Sequence, residues 1–160
     1  MSPLDFKKEE KRFYLPPAHP VLADVPEMNF FMVDGEGDPN EPEGAYQHAV
    51  ELLYALSYAV RMGGKKRTFP VPGYREYVVP PLEGLWWGCE PEAPVSKKDF
   101  RWISMIRQPG FVTQETLAYA QEQVAMKKPH LQKDYGLGYA KAPRIVHGQS
   151  GTRKYSREFN

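Results

Sequence analysis

A chain of 160 residues with 41% hydrophobic and 26% charged residues fits one globular domain. No apolar run approaches the roughly 20 residues that cross a bilayer, no secretory leader is legible at the start, and a single cysteine, Cys89, excludes an internal disulfide framework, so the cytoplasm is the implied compartment. The formal charge of +1 divides unevenly: residues 1–126 carry 13 Lys or Arg against 18 Asp or Glu, and residues 127–160 carry 8 against 2. The acidic body is a poor partner for nucleic acid; only the basic end has the charge to touch phosphates, and a solvated terminus explains that end equally well.

Residues 1–28 are polar and then punctuated by proline, which predicts an extended arm leading into a module at 29–128. The apolar run from Met28 to Val33, ended by Gly35 and Gly37, predicts a buried strand. The acidic loop after it alternates oxygens at Asp34, Glu36, Asp38 and Asn40. Pro39 and Ala45 stand where a calcium loop needs glycine and a bidentate Glu, so that reading fails.

From Pro42 to Met62 the period is helical, with Tyr46, Ala49, Leu53, Leu56 and Val60 on one stripe and Gly63-Gly64 as the expected stop. A basic connector follows to Tyr74. Tyr74–Val79 predicts a strand, Pro80-Pro81 break it, and Leu82–Cys89 resumes as another. Phe100–Arg107 alternates large apolar residues as a strand does, with a slip near Ser104. Thr113 is the expected N-cap of a helix reaching Lys127 and Lys128. Residues 129–160 lack sustained periodicity and read as a basic, flexible tail.

Spread in order over residues 10–128, the strings Phe13-Tyr-Leu-Pro-Pro, Val25-Pro-Glu-Met-Asn-Phe, Tyr77-Val-Val-Pro-Pro-Leu-Glu-Gly-Leu-Trp-Trp and Trp102-Ile-Ser-Met-Ile-Arg-Gln-Pro-Gly-Phe-Val-Thr resemble the GyrI-like small-molecule-binding proteins. The likeness is to their stand-alone branch, sometimes filed with transcriptional regulators. It implies an α+β fold of strand–helix–strand–strand modules, with an antiparallel sheet packed by helices and a ligand in the groove between two modules. In such grooves aromatic cations stack on rings near a buried glutamate, and some stand-alone members hydrolyse cyclopropane-bearing DNA-alkylating toxins. The second module of the resemblance is not found in residues 129–160. The chain therefore reads as truncated or altered at its end, as by a frameshift; either a homodimer completes the fold or the chain is a remnant with little activity.

The candidate site residues follow from chemistry and from the resemblance together. Trp86 and Trp87 are adjacent, so on a strand one should face the core and the other away; either could offer a flat face to a ligand, with packing in a core or interface as the equal alternative for each. Glu83, beside that pair, suits a cationic ligand when ionised and acid–base work when desolvated; a solvent-facing turn is its plainer reading. Glu83 and Tyr77 are the catalytic candidates. Tyr54, Tyr58, Trp102 and Met105 complete the ligand-binding set, each with ordinary packing as the competing explanation. The four histidines and Cys89 have no metal-ligand spacing, and no cofactor motif is present. Binding of a planar, apolar or cationic small molecule is the first expectation. Hydrolysis of cyclopropane rings is the second, and the effector-binding part of a transcriptional regulator is the third, weakened by the lack of a helix-turn-helix.

Overall fold

In the computed structural model, residues 1–15, 17–19, 21, 23–88, 96–131, 136–142, 145–147 and 153–155 are described. The chain begins with two single-turn helices, α1 (Phe6–Glu9) and α2 (Lys11–Tyr14), followed by strand β1 (Met28–Glu36) and the 22-residue helix α3 (Ala45–Lys66). Strand β2 (Leu82–Trp87), strand β3 (Arg101–Gln108) and helix α4 (Gln114–Lys127) come next. Three short strands close the sequence: β4 (Gly136–Ala142), β5 (Ile145–His147) and β6 (Arg153–Tyr155). The expected α+β class holds. The main sheet has the order β2-β3-β1-β4 and is antiparallel throughout, while β5 and β6 pair separately. Among the described residues, no helix is long and apolar enough to cross a membrane.

The period-2 alternation of strands gives the main sheet two differently used faces. Phe31 and Val33 of β1, with Trp102 and Ile106 of β3, point to α3 and α4 and join Leu53, Leu56, Val60, Leu117 and Val124 in one buried cluster. Met28, Phe30 and Met32 point the other way, where they meet Leu85, Met105 and, from the N-terminal segment, Phe13 and Val25.

Helix α4 starts where expected. The Thr113 Oγ1 accepts from the Thr116 N–H at 3.2 Å, and the Thr116 Oγ1 accepts from the Thr113 N–H at 3.2 Å, a reciprocal cap.

Four expectations need correction. The N-terminal 28 residues are not simply an extended arm, because α1 and α2 lie within them and bury Phe6 and Phe13. Gly63-Gly64 do not stop α3, which runs on to Lys66 and ends at Arg67 in the left-handed conformation (φ 56°). Both glycines serve close packing instead: a Cβ on Gly63 would lie 2.2 Å from the Phe69 ring, and one on Gly64 would lie 2.1 Å from Tyr74. Among the described residues Tyr74–Val79 forms no strand, and its one ladder contact is an isolated parallel bridge from Tyr77 to Leu4. The segment after 128 is not wholly a tail, since Leu131 is buried and β4 pairs with β1 from Met28 to Asp34. Cys89 lies outside the described residues.

Candidate functional site: a buried carboxylate and a separate groove

Strand β2 pairs with β3 so that Glu83 stands opposite Met105, Leu85 opposite Ile103, and Trp87 opposite Arg101. Alternation places these β2 side chains on the face away from α3 and α4, and puts Leu82, Gly84 and Trp86 on the helix face. Glu83 is only 8% exposed, with Leu85 and Met105 of the apolar cluster as its neighbours on the sheet. Trp87, four residues further along the same face, is 44% exposed and ends this apolar surface at the solvent.

Trp86 turns to the helix face as alternation requires, but it is not sealed there. Its ring lies 5.0 Å from that of Tyr46 and 6.2 Å from that of Phe100, and the residue remains 42% exposed. Neither tryptophan of the pair is enclosed in solid packing.

The other predicted residues fall elsewhere. Tyr77 is fully buried against α3, where its hydroxyl donates to the Ser57 carbonyl at 3.3 Å and its ring meets Tyr74 and Phe111 edge-on. Burial holds its phenol well above the ordinary tyrosine range. It sits on the side of the sheet opposite Glu83, so the two catalytic candidates do not converge. Tyr77 is a core residue. Trp102 is also core: its indole lies over Gly35, where a Cβ would come within 2.4 Å of the ring, and it packs edge-on to Tyr46. Met105 is buried too, but on the Glu83 face.

Tyr54 and Tyr58 line a third place, a groove of about 640 Å³ between α3 and α4 that also includes Ala55, Ala59, Phe69 and Val124. Charged side chains edge it. The Glu51 carboxylate there accepts from Lys128 Nζ at 2.9 Å and lies 3.4 Å from His130 Nε2; the Lys128 hydrogen bond, against some desolvation, lowers the carboxyl below its usual range.

A further cluster escaped sequence reasoning. The Arg107 guanidinium, on the Glu83 face of β3, stacks 3.7 Å from the centre of the Phe6 ring, donates to Glu10, and donates to the Tyr14 hydroxyl at 3.2 Å. These partners lie more than 90 positions away in sequence, and no local pattern links them. Among the described residues, no group of three or more His, Cys, Asp or Glu side chains is placed to hold a metal ion.

No protein-family profile matches the sequence, and no curated protein does so at significant similarity. Three solved structures from Listeria innocua are similar. One described as a hydrolase is 43% identical with a TM-score of 0.76, over 88% of this chain and 66% of that one. A second hydrolase is 43% identical with a TM-score of 0.78, over 89% and 67%. An uncharacterized conserved protein is 44% identical, also at 0.78, over 88% and 67%. The chain thus spans about two thirds of the length of these proteins. With identity at this level sustained along nearly nine tenths of its residues, the chain belongs to the same family as these Listeria innocua proteins.

Proposed function

We propose that the protein binds a small, flat organic molecule against the Glu83 face of the sheet and hydrolyses it. The observation that carries the reading is the near-complete burial of Glu83 on an apolar sheet face that ends in the exposed indole of Trp87. The description of two family members as hydrolases supports the chemical class. The resemblance to GyrI-like proteins narrows it to strained cyclopropane rings conjugated to a carbonyl.

In that chemistry the Glu83 carboxylate removes a proton from water as the water oxygen bonds to a ring carbon. The electrons of the breaking carbon–carbon bond pass to the conjugated carbonyl, and the proton returns to the resulting enolate. Trp87 supplies a flat wall, worth about 0.5–1.5 kcal/mol beyond its buried area when a ring stacks on it. Tyr77 takes no part, being engaged with α3 on the far side. A second copy of the chain supplies the opposite wall in this reading, and sedimentation at micromolar concentration tests that element.

Incubation with a cyclopropane-bearing alkylator, followed by mass spectrometry, tests the whole. Ring-opened product at many turnovers per chain is expected, and Glu83→Gln should lower kcat by about 10²–10⁴-fold, as loss of a general base does. Stoichiometric retention of unopened compound by the wild type would leave binding in place and remove hydrolysis. Turnover unchanged in Glu83→Gln would remove Glu83.

A further inference from the structure

We propose that the groove between α3 and α4 is a second binding site, for an elongated apolar organic acid, independent of the Glu83 face. The groove follows from the spacing of residues on α3. Tyr54, Tyr58 and Met62 recur every four positions and form one raised row, while Ala55 and Ala59 in the neighbouring row leave the floor low. Val124 of α4 and the Phe69 ring, stacked 5.6 Å from Tyr119, close the far side.

The lining runs from Glu51 to Lys66 along α3, a rise of about 22 Å for the residues involved. Its volume of about 640 Å³ is that of ordinary small-molecule sites, which span roughly 300–1,000 Å³. Length and apolar walls together suit an extended hydrocarbon or aromatic body.

Charge selects the head group. The charged lining residues are Glu51, Lys66, Lys127 and Lys128. The Glu51 carboxylate is already engaged by Lys128 and His130. Lys66 and Lys127 are exposed and form no ion pair among the described residues. With Glu51 neutralised in place, the rim carries uncompensated positive charge, and an ammonium compound would meet repulsion there. An anion of the carboxylate or sulfonate class is what this rim attracts.

The test uses the full chain with dodecanoate and dodecylammonium as matched probes, in calorimetric titrations at low salt with backbone amide shifts as the map. Dodecanoate should bind at least tenfold more tightly than dodecylammonium and shift residues of α3 and α4. Lys66→Ala and Lys127→Ala should each weaken dodecanoate about threefold, the scale of an exposed ion pair. Ala59→Phe, which fills the floor, should abolish binding of both probes. Because that variant meets the core, a double charge reversal, Lys66→Glu with Lys127→Glu, is made on the exposed rim alone; it should invert the preference between the two probes. Glu83→Gln should leave every one of these values unchanged, which separates failure here from failure of the hydrolase reading. Equal affinity for the two probes, a preference that survives the charge reversal, absence of binding at millimolar probe, or shifts centred on β2 would each overturn the proposal.

Discussion

The two faces of the main sheet are closed by different physics. On the helix face, α3 and α4 cover β1 and β3 with one continuous apolar cluster that includes Phe31, Val33, Leu53, Leu56 and Ile106. On the other face the cover is a segment of single-turn helices, held partly by Phe13 and Val25 and partly by the polar contacts that converge on Arg107. Hydrophobic burial is proportional to area and has no direction, so the first closure rests mainly on apolar area, with a few buried polar contacts such as Gln108 Nε2 to Ser57 Oγ at 3.0 Å added to it. The second depends on a few directional contacts to a buried guanidinium. The expected difference is in how each face opens: the helix face by global unfolding, the arm face by local release that leaves the rest intact. Glu83 stands on the arm-covered face.

The comparison is sharpest at Phe31 and Arg107. Phe31→Ala should cost about 3–5 kcal/mol, as large-to-small changes in a sealed core do, and chemical denaturation should show it as one cooperative transition. Arg107→Met keeps the apolar stem and removes the charge. Its Glu10 partner is about a third exposed and rehydrates, so the loss should be about 2 kcal/mol rather than the 3–5 of a fully buried pair. The informative reading is proteolysis. Trypsin should cut after Lys11 and Arg12 far faster in Arg107→Met while β1 to α4 stay protected. If the arm remains protected, or if the whole chain becomes labile together, the two faces do not differ as argued.

The sequence made legible what repeats locally. The Met28 strand, the long amphipathic helix and the Thr113 cap all follow from spacing and cap chemistry, which involve neighbours within one turn or one strand. It failed where meaning depended on distant partners. Gly63-Gly64 resemble a helix stop, and only the arrival of Phe69 and Tyr74 on the same turn turns them into packing positions. Tyr74–Val79 has the composition of a strand but, among the described residues, only Leu4 to pair with. The candidate site divides in the same way. Adjacency on β2 turns Trp86 and Trp87 to opposite faces, although neither is sealed in a core; Glu83, whose plainer reading is a solvent-facing turn, is buried on the Trp87 face, and Tyr77 precedes the Pro80-Pro81 break, so no period connects its direction to theirs. The Arg107 cluster and the α3–α4 groove are products of tertiary packing, and no single segment announces them.

Tyr77 gives the smallest of these effects and the cleanest signature. Its hydroxyl is buried and bonded to the Ser57 carbonyl, so Tyr77→Phe should cost about 1 kcal/mol at neutral pH, the net worth of one neutral hydrogen bond. The pH dependence carries more information. Burial raises the folded-state pKa above the value of about 10 that the phenol has in the unfolded chain, with the Tyr74 phenol adding to the shift and Arg61 opposing it. The neutral phenol's contribution is therefore fully present below pH 10. Above that pH the unfolded chain releases the proton and the folded chain keeps it, so stability falls by up to about 1.4 kcal/mol per pH unit. Tyr74 is shifted the same way for the same leading cause, so part of the alkaline limb belongs to it. Denaturant melts between pH 8 and 11 should show the wild type losing stability above pH 10, and Tyr77→Phe should lose less, until the two curves approach or cross near pH 11. Parallel curves across that range would mean that the Tyr77 hydroxyl reaches water, and the separation of the helix face from solvent on which the comparison of the two faces rests would fail at this residue.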